Sequence, residues 1–516
     1  MTLESQQCYS HSSVSCQFEA LPSAVSEVDE DCKVQNQVSQ VRDDSHWFEN
    51  YSCSVLSRTF SESVNSEDTL SIELRQDKQR ENLSADLERS VVEESHKSSS
   101  GYSVVKPSCC KMVESLLKNL PSKVYRVPSG TDLEWIASKF IHRGEEQAFY
   151  VIDIGAVEKK YLEFVRQLPR VHPYFAVKCN PDPVIVRLLA ALGCNFDCAS
   201  KSEIKLVSAS GVSGDRVIYA NPCKPQHHLS YAVEKGVTLV TFDNRDELYK
   251  LRQLGSHVRA ILRIATEDED SLCPLSSKFG AFMEEVPSLL SIAQTLNVRV
   301  VGVAFHVGSG CRCVKSYISS IENARRVFDI AESMGLPPMT ILDIGGGFPG
   351  FDGESSITFE EIAKGIRGHL DKLFPEEQQV EIIAEPGRYF VGSSHTLMTR
   401  VNGRRHRLRG DEAGSREDCV DYYIDDGVYG SFRDVLTLGI TFYPNCFPHC
   451  SNRRILKSTI FGPTCDSIDC IIRDYPLREL DVGDWIYFKD MGAYTISLAS
   501  SFNGFHKPSC KYIYGM

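Results

Sequence analysis

The residues best suited to chemistry in this chain stand where apolar runs give way to polar loops. Glu385-Pro386-Gly387-Arg388 sets a carboxylate three residues before an arginine. The planar donor fork of an arginine suits a phosphate, and a carboxylate can keep a pyridine nitrogen protonated, which strengthens that ring as an electron sink. Alone, the tetrapeptide would read as a surface ion pair; its place between a strand and a loop favours a site. His306, in Ala304-Phe-His-Val-Gly308, ends another apolar run. A lone strand-end histidine is usually a hydrogen-bonded core residue, but beside a phosphate loop it could lie flat against an aromatic cofactor.

Asp343-Ile-Gly-Gly-Gly-Phe-Pro-Gly350 contains G-x-G-x-x-G at Gly345, Gly347 and Gly350. A dinucleotide site is rejected, because that motif must open a helix directly after its strand, whereas Pro349 and Phe351-Asp-Gly-Glu-Ser-Ser356 predict an extended loop. Glycine-rich backbone can still hold a single phosphate through its N–H groups. Ser309, between Gly308 and Gly310, could add a hydroxyl. Each glycine cluster alone reads as a tight turn; two at the same end of one fold weaken that reading. Gly462-Pro-Thr-Cys-Asp-Ser-Ile-Asp469 puts a cysteine beside a carboxylate in a loop, where most cysteines only pack, but where one could return a proton to a substrate carbon or anchor a polar group. Zinc at Cys446, His449 and Cys450 is set aside, since no second ligand pair has the spacing; no metal is expected.

Positioning such groups requires a scaffold with many strand ends on one face. Ala148–Asp153, Thr238–Phe242, Ala260–Ile264, Val300–Phe305, Thr340–Ile344 and Glu381–Glu385 read as buried parallel strands. Helical spacing fills Asp182–Leu192, Lys201–Ala209, Asn244–Leu254 and Tyr317–Met334. This alternation predicts an α/β fold, either a (β/α)8 barrel or a doubly wound sheet. After about residue 395 short β-like runs such as Tyr422–Ile424, Asp484–Phe488 and Tyr512–Tyr514 predict a second, β-rich domain.

The net charge is −13, but residues 1–100 hold 19 acidic and 8 basic side chains, so the rest is nearly neutral. A nucleic-acid partner is not expected, because phosphate binding needs a net basic stripe. The one basic cluster, Arg404-Arg-His-Arg-Leu-Arg409, reads as a solvated loop. Residues 1–100 carry 22 serines, no glycine and one proline; a disordered acidic tail over 1–110 is expected, because such a segment buries too little apolar surface to offset its ordering entropy. The 19 cysteines show no repeating spacing, and neither a leader nor an apolar stretch of membrane length is evident. Reduced thiols, a cytoplasmic location and no membrane partner are the expectations.

Taken in order, Phe175-Ala-Val-Lys-Cys-Asn180, Phe196-Asp-Cys-Ala-Ser200, His306–Gly310, Leu342–Gly350, Glu385–Arg388, Asp426-Gly-Val-Tyr-Gly-Ser-Phe432, Gly462–Asp466 and Gly492-Ala-Tyr-Thr495 resemble the eukaryotic ornithine decarboxylase family, from about residue 115 to 516. The resemblance implies a (β/α)8, TIM-like barrel of alanine-racemase type at 148–394, preceded by a segment 111–147 that packs with the β-rich domain at 395–516. It implies pyridoxal 5'-phosphate as cofactor and a homodimer with active sites at the interface. Lys178 resembles the Schiff-base lysine, His306 the group on the ring, and Glu385 the partner of the ring nitrogen. Ser309, the glycines 345–347, Pro386, Gly387, Arg388 and Tyr494 resemble the surroundings of the phosphate and ring, with Asp197, Glu203 and Arg263 as further polar neighbours. Cys465 resembles a proton donor supplied by the other subunit, and Asp466 the carboxylate for a substrate's distal ammonium. Lys278 and Asp469 resemble a pair bridging the interface.

One departure concerns the substrate. After Phe432 the family shows Ile-Leu-Tyr-Asp-His, whereas this chain has Val435-Leu-Thr-Leu-Gly439, so Thr437 and Leu438 occupy the Tyr-Asp positions of the substrate pocket. Losing one of two carboxylates should weaken the preference for a diamino acid by roughly 1–3 kcal/mol. Ornithine decarboxylation to putrescine is the leading expectation, with lysine or an apolar amino acid such as leucine as alternative substrates. A non-catalytic paralogue resembling the antizyme inhibitors is a third reading, against which the chemical types at the cofactor site count; antizyme is a candidate partner.

Overall fold

The computed structural model describes residues 116, 117, 120 and 122–515, apart from 352, 411–415 and 449–451. The acidic tail expected over 1–110, together with His449 and Cys450 of the rejected zinc triple, lies outside the described residues.

Eight strands close into a parallel barrel: β1 (Val171–Ala176), β2 (Asn195–Cys198), β3 (Val217–Tyr219), β4 (Leu239–Phe242), β5 (Arg259–Arg263), β6 (Arg299–Ala304), β7 (Ile341–Asp343) and β8 (Glu381–Ala384), which pairs back with β1. This decides between the two α/β alternatives in favour of the barrel. The alternation of side chains along each strand gives the barrel two apolar layers. Tyr174, Ile218, Leu239, Ile261, Val301, Ile341 and Ile383 form an inner cluster. Phe175, Phe196, Val240, Leu262, Val303 and Leu342 instead join the large core with the outer helices. Each such side chain fully buried contributes roughly 1.5–3 kcal/mol.

The connecting helices begin where the sequence supplies caps. Asp182 accepts from the N–H groups of Val184 (2.8 Å) and Ile185 (3.1 Å), Pro183 opens α1 (Pro183–Leu192), and Gly193 closes it at φ 95°. Ser200 caps α2 (Lys201–Ala209) in the same way.

A nine-stranded mixed sheet forms the second layer system, and it departs from expectation in one respect. Phe149–Asp153, read as a barrel strand, lies in this sheet, parallel to Ser509–Gly515 and antiparallel to β9 (His395–Gly410). Phe149, Tyr150, Val151 and Ile152 are all buried. A strand covered on both faces reads as a continuous apolar run in either setting, so composition could not separate the two. Val124–Val127 runs parallel to Ser509–Gly515, at the edge of the same sheet.

The basic cluster also differs from its reading as a loop. Residues 404–409 belong to β9, which pairs in register with β10 (Arg416–Ile424). Arg404 donates to Asp481 at 2.6 Å and to the Leu480 carbonyl at 2.9 Å, and Arg407 pairs with Asp421. Because Arg404 to Arg407 are basic at successive positions and the apolar Leu408 is exposed, the strand alternation was hidden. Among the described residues, no helix is long and apolar enough to cross a membrane, and no group of His, Cys, Asp and Glu could hold a metal ion. The described cysteines are free thiols.

Candidate active site

Lys178 lies in a single 3-10 turn, Val177–Cys179, at the C-terminal end of β1. The turn is fixed from outside the barrel: Asn180 donates its amide to the Gly492 carbonyl at 2.9 Å, and the Tyr494 N–H and Ser497 hydroxyl donate to the Cys179 carbonyl at 3.1 and 3.0 Å. The Lys178 ammonium donates to Asp197, a fully buried carboxylate in β2. Burial pushes the lysine pKa down, but the charges of Asp197, Glu385 and Tyr494 outweigh it and hold it above the ordinary lysine value.

Glu385 directly follows β8 and Asp343 ends β7; both are buried. Asp343 accepts from the Gly345 N–H at 2.9 Å. Burial, then their mutual charge and that of Asp197, push the Glu385 carboxyl well above the usual range, and burial likewise raises Asp343. Two carboxyls close together away from water each make it harder for the other to ionise.

His306 receives the Gly308 N–H on Nδ1 at 3.1 Å. That bond requires a lone pair there, so the proton of the neutral ring sits on Nε2. Burial, and then the cations Arg263 and Lys178, lower its pKa well below the usual histidine value. Gly346 packs so closely that a Cβ there would stand 3.0 Å from His306 Nε2 and 2.6 Å from the Glu385 carbonyl.

At the next corner Ser309 Oγ lies 3.4 and 3.5 Å from Nε and Nη2 of Arg388. The opposite edge of the guanidinium is held by Glu354, 3.0 Å from Nη1, and the same carboxylate accepts from the Gly350 N–H at 2.5 Å. Gly347, at φ 100°, brings its backbone to within 2.5 Å of the Gly308 carbonyl as measured from where a Cβ would be; only glycine fits that approach. The Arg388 guanidinium sits 5.1 Å over the Tyr494 ring. Pro386 accepts from the Ala176 N–H at 3.1 Å, and Gly387 packs on Cys179 and Ala176.

Of the remaining residues singled out in the sequence, Arg263 is buried at the end of β5, 5.2 Å over the Phe279 ring, and Glu203 accepts from the Ala199 N–H at 2.6 Å. Cys465 and Asp466 lie on a loop of the mixed sheet. Cys465 is exposed, with its N–H donating to Asn503 Oδ1 at 3.1 Å. Asp466 accepts from the Tyr429 hydroxyl and from the Ile468 N–H, which hold its carboxyl below the usual range. Thr437 is exposed and Leu438 half-buried. Asp469 is buried within its own chain, accepting from the Val428 N–H at 2.8 Å and from the Thr464 N–H and hydroxyl at 3.0 and 2.7 Å. Lys278 is exposed, its amine 5.0 Å over Phe279.

The site suits a flat, phosphorylated pyridine. Three buried carboxylate oxygens, Asp197 Oδ1, Asp343 Oδ2 and Glu385 Oε1, have no hydrogen-bond partner, and a protonated ring nitrogen would satisfy such an acceptor. The neutral imidazole offers a face, and Ser309, Gly347 and Arg388 bring together the kinds of donor that suit a phosphate.

A closed parallel barrel with a strand-end lysine beside these groups defines a pyridoxal-phosphate enzyme of the alanine-racemase type. Residues 154–392 match the family described as "Pyridoxal-dependent decarboxylase, pyridoxal binding domain". The chain is 45% identical to antizyme inhibitor 2 of Xenopus laevis over 74% of its length and 84% of that protein. It is 44% identical to ornithine decarboxylase of Mus musculus over 72% of its length and 81% of that protein. Among solved structures, arginine decarboxylase of Paramecium bursaria Chlorella virus superposes with a TM-score of 0.69 at 35% identity, covering 74% of this chain and all of that one. A lysine/ornithine decarboxylase of Vibrio vulnificus complexed with cadaverine gives 0.67 at 30%, covering 74% and 99%. The chain belongs to the ornithine-decarboxylase family of pyridoxal-dependent decarboxylases.

Sequence reasoning missed Asp343 and Glu354. Asp343 carried the same strand-end signal as Glu385 and could have been found by it. Glu354 sits in a loop whose composition gave no hint of its contact with Arg388.

Proposed function

We propose that this protein is an amino-acid decarboxylase that converts ornithine to putrescine and CO2. The observation that carries the reading is the Lys178–Asp197 pair at the barrel mouth, with the Glu385–Asp343 carboxyls, the neutral His306 and the Ser309–Arg388 corner around it. Pyridoxal phosphate bound there supplies an electron sink for the carbon–carboxylate bond that breaks. Lys178 would hold the cofactor covalently, and Asp197 would take up and return the proton that its amine loses and regains. The carboxyl pair places negative charge where a ring nitrogen must stay protonated, and His306 presents its uncharged face. Ser309, Gly347, Arg388 and Tyr494 would anchor the phosphate, which fixes the ring's orientation.

The thiol and carboxylate at Cys465 and Asp466 stand on an exposed loop, with Ile468, Phe502 and Phe505 half or more than a third exposed beside it. We place them in the site of a second copy of the chain, in a homodimer, where Cys465 would return a proton to the substrate carbon and Asp466 would receive the distal ammonium. Lys278 and Asp469 would approach each other across that interface, Asp469 sharing its carboxylate with Thr464. A cytoplasmic location fits the free thiols.

The test is CO2 release and amine formation from ornithine, lysine, arginine and leucine by the purified protein with cofactor. Turnover of ornithine supports the reading; a bound-cofactor absorbance with no turnover on any of the four overturns it. The 45% identity to an antizyme inhibitor favours a second, non-catalytic reading in which antizyme is the ligand. Lys178, Asp197, Arg388 and Cys465 keep the types that catalysis requires, which favours the first.

A further inference from the structure

Cys465 and Asp466 are neighbours on the loop Gly462–Asp469, and each is held by a different residue. Asp466 is held at its carboxylate, by the Tyr429 hydroxyl and the Ile468 N–H. Cys465 is held at its backbone: its N–H donates to Oδ1 of Asn503 at 3.1 Å, across 38 residues of chain. Among the described residues the Cys465 thiol makes no hydrogen bond, so this backbone bond decides where the sulfur stands. Asn503 is itself fixed. It lies in the single turn Phe502–Gly504 at φ 54° and ψ 16°, the left-handed region, which asparagine tolerates better than most residues with a side chain. The Gly504 N–H closes the turn on the Ser501 carbonyl at 3.0 Å. Phe502 packs on Tyr429 with ring centroids 4.4 Å apart, and Ser500 donates its N–H and its hydroxyl to the Tyr429 carbonyl, both at 2.9 Å. Tyr429, which holds Asp466, therefore also seats the turn that holds Cys465, and one clamp sets the thiol and the carboxylate together.

We infer that Asn503 is a positioning residue for proton transfer from Cys465, fixing the thiol beside Asp466 by accepting its backbone N–H. This rests on the reading above, in which Cys465 returns a proton to the substrate carbon. In that step the S–H bond breaks, its proton joins the electron pair left by the departing CO2 to form a C–H bond, and a thiolate remains. Such a transfer needs the sulfur within hydrogen-bond reach of the carbon. An exposed loop with no hold on Cys465 would meet that condition only part of the time. With Cys465 and Asp466 set by the same clamp, a substrate held by its distal ammonium finds the thiol at a constant distance.

The test uses the full chain, cofactor-loaded for kinetics and cofactor-free for hydrogen exchange. Asn503→Gly removes the acceptor and keeps the left-handed turn, whereas Asn503→Asp keeps both. With Asn503→Gly, kcat for the amino acid turned over should fall roughly fivefold while KM stays within about twofold, and Asn503→Asp should remain close to the wild type. The solvent deuterium isotope effect on kcat should rise in Asn503→Gly alone, as proton transfer becomes the slower step. In the cofactor-free protein the Cys465 amide should exchange several-fold faster in Asn503→Gly than in the wild type or Asn503→Asp. Added to Cys465→Ala, Asn503→Gly should cost nothing further. An equal loss in that background, an equal loss in both Asn503 variants, or an unchanged kcat and isotope effect in Asn503→Gly would overturn the inference alone. Full activity of Cys465→Ala, or no wild-type turnover on any amino acid, is a distinct result that removes the reading beneath the inference, and the inference with it.

Discussion

At Arg388 two anionic demands meet on one guanidinium. Nε and Nη2 face Ser309, the side on which a phosphate would bind, while Nη1 is held by Glu354 at 3.0 Å. A carboxylate so near a phosphate site either competes for the arginine or holds its other edge in line. The geometry favours the second, because the Glu354 oxygens point to Nη1 and to the Gly350 N–H, away from the Ser309 side. Glu354→Gln keeps the shape and removes the charge. The expected outcome is a five- to tenfold weaker cofactor, about 1 kcal/mol, in a fluorescence titration of the cofactor-free protein, with little change in its Tm. Tighter binding in the variant would mean that competition is the real relation.

At the level of elements, the turn that carries Lys178 depends on the helix that follows it. Asp182 caps α1 through Val184 and Ile185, and its other oxygen receives the Tyr512 hydroxyl at 2.7 Å, tying the barrel to the chain's last strand. Asp182→Ala removes the cap and strands a partly buried hydroxyl, so unfolding in urea should show a loss of about 2–3 kcal/mol. An effect below about 0.5 kcal/mol would mean that neither bond matters. At the end of β10, Asp425 accepts from the Arg400 N–H at 2.9 Å, while its other oxygen is buried without a partner. Burial pushes its carboxyl up to about 7. Because the folded pKa exceeds the unfolded one, the folded state binds more protons between about pH 4 and 7, and stability falls as pH rises through that window. Asp425→Asn should therefore stabilise the protein more at pH 8 than at pH 4, by about 4 kcal/mol in the difference; equal effects at both pH values would refute this.

These elements were not equally legible. The caps of α1 and α2 could be read because Asp182, Pro183, Gly193 and Ser200 act locally. The strands β4 to β8 could be read as apolar runs, but β1, β2 and β3 could not: Pro173 interrupts the first, Asn195 and Asp197 make the second half polar, and the third has three residues. Glu385 and Arg388 were legible as residue types at a strand end and Lys178 through the family resemblance, whereas the Glu354 contact with Arg388 depends on how a loop folds back onto a distant strand end.

On the scale of the whole molecule, Lys178 opens from the barrel and Cys465 stands on an exposed loop of the mixed sheet. If every site takes its lysine from one copy and its thiol from another, the two defects lie on different chains and can complement. Lys178→Ala alone and Cys465→Ala alone should each have little activity. Mixed in equal amounts and allowed to exchange subunits, half the dimers carry one copy of each variant, and in those one site has both defects and the other has none. Symmetry then predicts recovery to about one quarter of wild-type activity. Sites built within single chains would show no recovery, and the measurement needs only CO2 release before and after mixing. A recovery near one quarter, with sedimentation showing two copies per particle, would also explain why Ile468, Phe502 and Phe505 are left open to solvent in the single chain: they would be the apolar rim against which the second barrel closes.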